Sequence, residues 1–572
     1  MISSNELRQK LLSVDHKSYP AYKSLTGNYA FTGFTLSIDH VQGDPFAAPS
    51  RLTLSIPYAY AGFSAGFPGQ PHLRIALEDY LLRRFGKEIT RFSFKAQGSG
   101  KSGLITVSRP GQEILERTAC QLNQSKNTIE VHFSVGFPAN GRTINAKELE
   151  KILFDFLPKA VINVFSKKSL PSKEIQEVLS LAEDQYAIRR EMAARNLVAF
   201  VADGAVLPRE SGVSDKPMKS CVPFQSPDSL SITLPLPGKR TISGMGIHKG
   251  ITLIAGGGYH GKSTLLQALE RGVYNHILGD GREYVLTDET ALKLRAEDGR
   301  KISDVDISLF IRDLPNGRDT ASFSTLDASG STSQAANIME GIEAGSHLLL
   351  IDEDTSATNF MVRDELMQRV ISHDKEPITP FLERAKDLYE HCDISTILVA
   401  GSSGAYFYIA DTIIQMDCYR PVDITKEVKQ LLPEYTAPAL TAPHFVMPTK
   451  KRSLDLGAAS MMKKSYRGDH VQEERLKVKL TGNRSFVIGK DNVDLRYVEQ
   501  LVDAEQTTTL SYLLRYAKEH YEGQKADPVQ LVKILMSKLE KDGILSLCKT
   551  NYYPADFAMP RTLELFACLN RY

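Results

Sequence analysis

Gly256-Gly-Gly-Tyr-His-Gly261-Lys262-Ser263-Thr264 fits the pattern G-x-x-x-x-G-K-[ST]. An apolar run, Ile251 to Ala255, precedes it, and a helical pattern, Leu265-Leu-Gln-Ala-Leu-Glu270, follows. Strand, glycine loop and helix is the context that a phosphate-binding loop requires. Glycine lets the backbone fold tightly enough to aim N–H groups at phosphate oxygens, and the helix that starts there adds its positive N-terminal end. The pattern therefore predicts ATP held by Gly256, Gly257, Gly258, Tyr259, His260, Gly261, Lys262, Ser263 and Thr264. Lys262 reaches the β- and γ-phosphates, and the Ser263 hydroxyl ligates Mg²⁺.

A second glycine-rich stretch, Gly98-Ser-Gly-Lys-Ser-Gly103, is half of such a motif. Its first motif position is Lys95, and the run behind it, Leu104-Ile-Thr-Val107, has strand character. It reads as a loop between strands.

Leu348-Leu-Leu-Ile351-Asp352-Glu353 supplies the expected partner of the phosphate loop. Four apolar residues predict a buried parallel strand, and the carboxylates emerge at its C-terminal end, where α/β sheets place their ligands. Asp352 suits Mg²⁺, and Glu353 is placed to deprotonate the water that attacks the γ-phosphate. Upstream, Ala328-Ser329-Gly330-Ser331-Thr332-Ser333-Gln334 precedes another helical stretch. Ser329 lies 352 − 329 = 23 positions before Asp352. This resembles the signature motif of ABC-class ATPases, and the resemblance implies that Ser329, Gly330 and Ser331 close on a γ-phosphate held by a second subunit. Ser356-Ala-Thr-Asn359 sits where that class has its D-loop.

The chain departs from the class pattern in several places. Position 331 is serine where glycine is usual, and the strand Thr396–Ala400 leads into Gly401-Ser-Ser-Gly404 instead of a switch histidine. No Q-loop glutamine lies between the phosphate-loop helix and the signature, which leaves Asp304 or Asp306 as substitutes. No aromatic precedes the phosphate loop at the usual distance to stack on a base. The stretches Arg271–His276, Arg295–Gly299, Ala328–Asn337 and Asp352–Phe360, together with Gly401–Gly404, resemble one group, the predicted soluble ATPases of the ABC class. That group includes an RNA-binding ATPase of the kinetoplastid mitochondrial RNA-editing machinery. The resemblance implies an ATPase core between group-specific N- and C-terminal domains, a homodimer and an RNA-binding surface.

Composition sets the outer bounds. The chain has 572 residues, 42% hydrophobic and 24% charged, with net charge +1, so nucleic acid would be gripped by a local surface only. Its six cysteines lie far apart and read as reduced thiols of a cytoplasmic protein. The first residues lack the apolar core of a signal peptide, and no run is long enough to span a bilayer.

The predicted fold class is α/β: a P-loop NTPase core of ABC type, flanked by an α+β N-terminal domain and a small, mainly helical C-terminal domain. The expected boundaries are 1–165 for the N-terminal domain, 166–195 for a helical connector, 196–440 for the core, 441–474 for a basic linker and 475–572 for the C-terminal domain. Within the first, Phe31–Ile38, Arg51–Ile56, Arg91–Lys95 and Ile129–Val135 read as strands, and Leu73–Phe85 and Ala146–Leu157 as helices. Ala202–Asp228 is rich in Gly, Pro, Ser and Asp and reads as a surface loop. A single P-loop per chain implies that a composite site needs two chains.

The densest basic patch is Arg83, Arg84, Lys87, Arg91, Lys95, Lys101 and Arg109, opposed by Glu88 and interleaved with Phe85, Phe92 and Phe94. Basic side chains neutralise phosphates and aromatics stack on unpaired bases, so this is the first candidate for RNA or other single-stranded nucleic acid. Lys450–Arg467 is the second. The resulting expectation is a soluble, homodimeric ATPase that binds and hydrolyses ATP with Mg²⁺ and couples this to gripping nucleic acid. Its rivals are the ATPase subunit of a transporter and an ATP-dependent clamp with little turnover.

Overall fold

The computed structural model describes residues 2–363, 376–438, 442–464, 471–548 and 556–572, with the side chains of 461–464 and 471–475 excluded. The chain divides into two compact units, Met1–Glu183 with Leu539–Met559, and Asp184–Lys538 with Pro560–Tyr572.

The first unit is built on an antiparallel sheet. Gly27–Phe31, Phe34–His40, Ser50–Pro57 and Thr128–Val135 lie side by side in that order. Side chains of Ser50–Pro57 alternate between buried and half-buried, as a sheet with one covered face requires. The helix Pro71–Thr90 carries Leu77, Leu81, Phe85 and Ile89 at four-residue spacing, all buried. This corrects the reading of Arg91–Lys95 as a strand. The helix runs past Phe85, and residues 91–96 are turn, with Phe94 in a left-handed conformation (φ 61°). The glycine stretch 98–103 is a loop, as read, in which Gly98, Gly100 and Gly103 all take positive φ. The segment 556–559 returns to this unit, where Thr118 N–H donates to the Phe557 carbonyl.

The second unit holds the sheet that positions the candidate site. Strands β1 (Ile251–Ala255), β2 (Ala291–Leu294), β3 (Leu348–Asp352), β4 (Ser395–Val399), β5 (Thr412–Asp417) and β6 (Arg420–Asp423) are ordered β2-β3-β4-β1-β5-β6. All neighbours are parallel except β5 and β6. β3 and β4 are buried along their whole length, which is why they read as continuous apolar runs. Helices α1 (Lys262–Arg271) and α2 (Gly330–Glu343) follow the two glycine motifs. A four-stranded antiparallel sheet, Ser231–Leu236, Arg240–His248, Leu197–Ala202 and Val285–Thr287, completes this part.

The C-terminal stretch is less purely helical than expected. A three-stranded sheet, Val478–Gly482, Ser485–Ile488 and Asp491–Asp494, precedes the helix Ala504–His520, and α3 (Thr562–Arg571) closes the described chain. Two residues of the basic strip at 450–467 are tied down. Arg452 is buried and pairs with Glu343 at 2.6 Å, and Lys450 pairs with Asp304 at 3.1 Å. Arg467 lies outside the described residues.

Candidate functional site

The loop between β1 and α1 needs its glycines at two points. Gly256 takes φ 139°, and a Cβ there would sit 2.6 Å from the Met416 carbonyl oxygen. Gly261 takes φ 99° and caps the N-terminus of α1. Tyr259 also has positive φ (65°) and is almost wholly exposed at the loop tip. Lys262 bends back over the loop and its Nζ donates to the Gly256 and Gly257 carbonyls at 2.7 and 2.8 Å. The ammonium thus sits inside the turn that its sequence position predicts, 3.6 Å from the point where a Cβ on Gly401 would lie. Ser263 is exposed and Thr264 half-buried in the first turn of α1. His260 lays its ring beside Gly257, where a Cβ would come within 3.4 Å of the ring Cδ2. Its Nδ1 accepts from Cys418 N–H at 3.0 Å, and its carbonyl accepts from Tyr419 N–H at 3.2 Å.

Asp352 ends β3 and is buried, with Oδ1 accepting from Asp354 N–H at 3.1 Å. Glu353 meets the loop that follows β4. Its Oε2 accepts from Gly401 N–H at 2.9 Å and Ser402 N–H at 3.1 Å, and Ser402 Oγ donates to Oε1 at 2.6 Å. The stretch that replaces the switch histidine therefore holds the candidate base. Burial, and after it the charge of Glu353, pushes the Tyr406 phenol far above its ordinary range.

Ser329 caps α2, and its Oγ accepts from Thr332 N–H at 3.4 Å. Gly330 and Ser331 open the helix. Gln334, one turn on, joins this motif to the turn after β3. Its Nε2 donates to Ser356 Oγ at 3.0 Å, its Oε1 accepts from Ala357 N–H at 3.0 Å, and Ser356 Oγ donates to the Asp352 carbonyl at 2.9 Å. The sequence reading had not singled out this link. Among the described residues, no hydrogen bond or ion pair joins Ser329–Ser331 to Gly256–Thr264 of the same chain. Asp304 is committed elsewhere, to Ser322, Lys450 and Ser453, and Asp306 caps Ser308. Asp304 is thus removed as a stand-in for the Q-loop residue.

The basic patch of the first unit is rearranged by its helix. Arg83 donates to Asp79 at 2.5 Å and to the Gly111 carbonyl at 2.6 Å, so its charge is spent within the fold. Arg84 pairs with Glu174 at 3.5 Å, and Arg91 with Glu88 at 3.0 Å. Phe85 is buried and Phe92 stacks on Phe156, which leaves Phe94 as the exposed aromatic of the three. Lys95 lies over the Phe92 ring, and Lys101 is half-buried. Lys87 and Arg109 are exposed and line, with Arg83, a groove of about 330 Å³ between the helix and residues 105–110.

Comparison with known proteins adds three matches. The P-loop domain of ABC ATPases matches residues 171–452, the N-terminal domain of ATPases of the ABC class matches 4–168, and the MRB1590 C-terminal domain matches 477–572. The uncharacterized protein MJ1628 of Methanocaldococcus jannaschii is 33% identical over 212 residues, which are 35% of this chain and 46% of that protein. The chain thus matches less than half of that relative's length. Among solved structures, the ADP conformation of MJ1267, an ATP-binding cassette of an ABC transporter, is 12% identical and covers 36% of this chain and 92% of its own, with a TM-score of 0.23. CbiO1 of Clostridium perfringens, part of the ABC transporter complex cbiONQ, is 14% identical over 42% of this chain and 97% of its own, with a TM-score of 0.26. No helix among the described residues is long and apolar enough to cross a membrane.

Proposed function

The chain belongs to the ATPases of the ABC class, and from that premise we propose that it binds ATP at Gly256–Thr264 and hydrolyses it with Glu353 as base. The observation that carries this reading is the meeting of three parts at one end of the parallel sheet. Lys262 lies in its glycine turn, Glu353 emerges from the adjacent β3–β4 region, and Gly401–Ser402 touches both. In this reading the Lys262 ammonium exchanges two neutral carbonyl partners for phosphate oxygens, so that both donor and acceptor are ionised. Ser263 and Asp352 would hold Mg²⁺, which would neutralise charge on the β- and γ-phosphates. Glu353 takes the proton of the attacking water.

The likeness of Ser329–Gln334 to an ABC-class signature, in a chain with a single P-loop, supports a site completed by a second copy. There the Ser329 hydroxyl and the N–H groups that open α2 meet the γ-phosphate. The exposed Lys87 and Arg109, with Phe94, support single-stranded nucleic acid, RNA in the first instance, as the cargo. A slower machine is the second reading, and one contact favours it: both carboxylate oxygens of Glu353 are occupied by Gly401 and Ser402. Oε2 accepts two bonds and Oε1 one, so a single acceptor position on Oε1 is left to take the proton.

Glu353→Gln tests both readings. The amide keeps the shape and loses the base, so ATP binding persists, turnover falls at least 100-fold, and an ATP-dependent dimer accumulates in light scattering. Unaltered turnover refutes the assignment of the base. A wild-type chain that dimerises with ATP and scarcely turns it over favours the clamp.

A further inference from the structure

The phosphate loop opens on one side into a cavity of about 730 Å³, within the ~300–1,000 Å³ typical of ligand pockets. Gly261, Thr264 and Gln267 form one wall, from the loop and the first turns of α1. The opposite wall comes from residues 207–224, with Leu207, Met218, Val222 and Phe224 turned to the space. Met416 and Tyr419 close the end next to Gly261. We infer that this cavity, resting on the ATP-binding reading above, takes the purine nucleoside end of the nucleotide, and that Tyr419 is the aromatic against which the base lies.

The wall is built to hold its shape. Residues 209–211 and 214–217 form an antiparallel hairpin. The buried Arg282 donates from Nε to the Leu207 carbonyl at 2.9 Å. Arg209 pairs with the buried Asp280 at 2.9 Å, and His276 Nδ1 lies 2.8 Å from the same carboxylate. Gly281 takes φ 79°, and a Cβ there would lie 2.6 Å from the Val206 Cβ, so the close approach requires glycine. These contacts fix the segment at residues 206–209, the hairpin follows, and Phe224 N–H ties its far end to the Ala205 carbonyl at 2.9 Å. Pre-formed, mostly apolar walls with a few polar groups are what a ligand pocket needs.

Tyr419 is held with equal care. The turn that carries it has Cys418 at φ 46° and Tyr419 at φ 70°, two consecutive left-handed residues. His260 clips this turn to the phosphate loop through its ring nitrogen and its carbonyl. The Tyr419 ring then comes so close to Gly261 that a Cβ on Gly261 would lie 3.2 Å from Cδ1. The ring itself is more than half exposed at the cavity mouth. An aromatic face held open beside the phosphate site offers a stacking surface to a base. The Ser211 and Ser220 hydroxyls and the Gln267 amide supply polar partners for the ribose and the base edges.

The test compares ATP with inorganic tripolyphosphate, both with Mg²⁺, by calorimetry on the full chain. The wild type should bind ATP at least 10-fold more tightly than tripolyphosphate. Val222→Arg fills the cavity and should weaken ATP at least 10-fold while leaving tripolyphosphate unchanged, which also shows that the variant is folded. Tyr419→Ala should weaken ATP about 10-fold, and Tyr419→Phe should restore it. Lys262→Ala should lose both ligands. Wild-type ATP affinity in Val222→Arg and Tyr419→Ala, or equal affinity of the wild type for the two ligands, overturns the assignment of the cavity and leaves the phosphate loop standing. A wild type that binds neither ligand overturns the parent reading and this one together.

Discussion

Arg571→Met should remove about 3 kcal/mol of stability from the second unit, because the arginine is the main partner of a buried carboxylate. Its Nε lies 3.1 Å from Glu297 Oε2 and its Nη2 2.5 Å from Oε1, with a further bond to Asn337 Oδ1 at 3.2 Å. Glu297 is 4% exposed and Arg571 9%. Burial alone would raise the Glu297 carboxyl, but Arg571 and then Arg300 outweigh it and hold the group below its ordinary range. Methionine fills most of the arginine volume, so the loss is electrostatic rather than a cavity. Breaking a buried pair from one side costs roughly 3–5 kcal/mol, and the remaining Arg300 places this case at the lower end. Arg571→Met with Glu297→Gln should cost less than the two single changes added, with a coupling of about 2 kcal/mol. The glutamine can keep an acceptor for Asn337 Nδ2, now 3.0 Å from Glu297 Oε1. Urea unfolding followed by circular dichroism gives the four corners of the cycle, and amide exchange in Thr562–Arg571 shows whether α3 has come loose. A loss under 1 kcal/mol for Arg571→Met, or strict additivity, would refute the reasoning.

Lys87→Glu with Arg109→Glu should weaken RNA binding and lower the log–log salt slope by roughly 1.4, at about 0.7 per phosphate contact on a single strand. Filter binding at several salt concentrations reads it, and an unchanged slope in a folded double variant retires this groove. The pH prediction rests on His132, which is buried in the sheet of the first unit with Nδ1 2.8 Å from Thr53 Oγ1. Burial pushes its imidazole down to about 4, with Glu130 opposing the shift. The folded form therefore favours the neutral ring, and its contribution is fully present above the ordinary value near 6.5. It is lost as pH falls from there towards 4, by about 3 kcal/mol at most. Denaturation of wild type and His132→Gln at pH 7.5 and 4.5 should show a steeper loss in the wild type. Parallel losses in the two proteins would assign the acid sensitivity to other groups.

The parts of the site that could be read from sequence are those whose chemistry is local. A glycine turn, a lysine and a helix start must be contiguous to surround a phosphate, so Gly256–Thr264 carries its own context. A buried parallel strand likewise shows itself as Leu348–Ile351, and its carboxylates follow at once. What the sequence hides is assembled from distant segments. Tyr419 follows the fifth strand of the sheet and reaches the phosphate loop only because β5 lies beside β1. The aromatic proposed to face the base therefore lies downstream of the motif, where no local pattern marks it. The segment 202–228 reads as loop because its composition is that of a loop; Arg282 and Asp280, which brace it, come from much later in the chain. Arg83 shows the reverse error. Basic residues that look like one patch in a list are spread over a helix, the turn after it and a loop, and a buried aspartate four residues earlier takes the first of them.

The same distinction bears on how the signature helix works. Gln334 ties the start of α2 to Ser356 and Ala357, and through Ser356 to the carbonyl of Asp352. Farther along the helix, Asn337 accepts from Arg571 of α3, and Arg300 bonds both Asn337 and Glu340. The helix that opens with Ser329 is therefore gripped at its first turn by the strand that ends in the candidate metal ligand, and at its middle by the last helix of the chain. The Arg300 and Arg571 bonds are buried and charge-assisted, worth roughly 1.5–3 kcal/mol each, while the Gln334 and Ser356 bonds are neutral and part-buried; a shift of α2 has to carry Asp352 and α3 with it or break them. Such a helix moves as part of a block. That gives the C-terminal stretch a physical route to the candidate ATP site, although among the described residues it contributes no side chain to the phosphate loop.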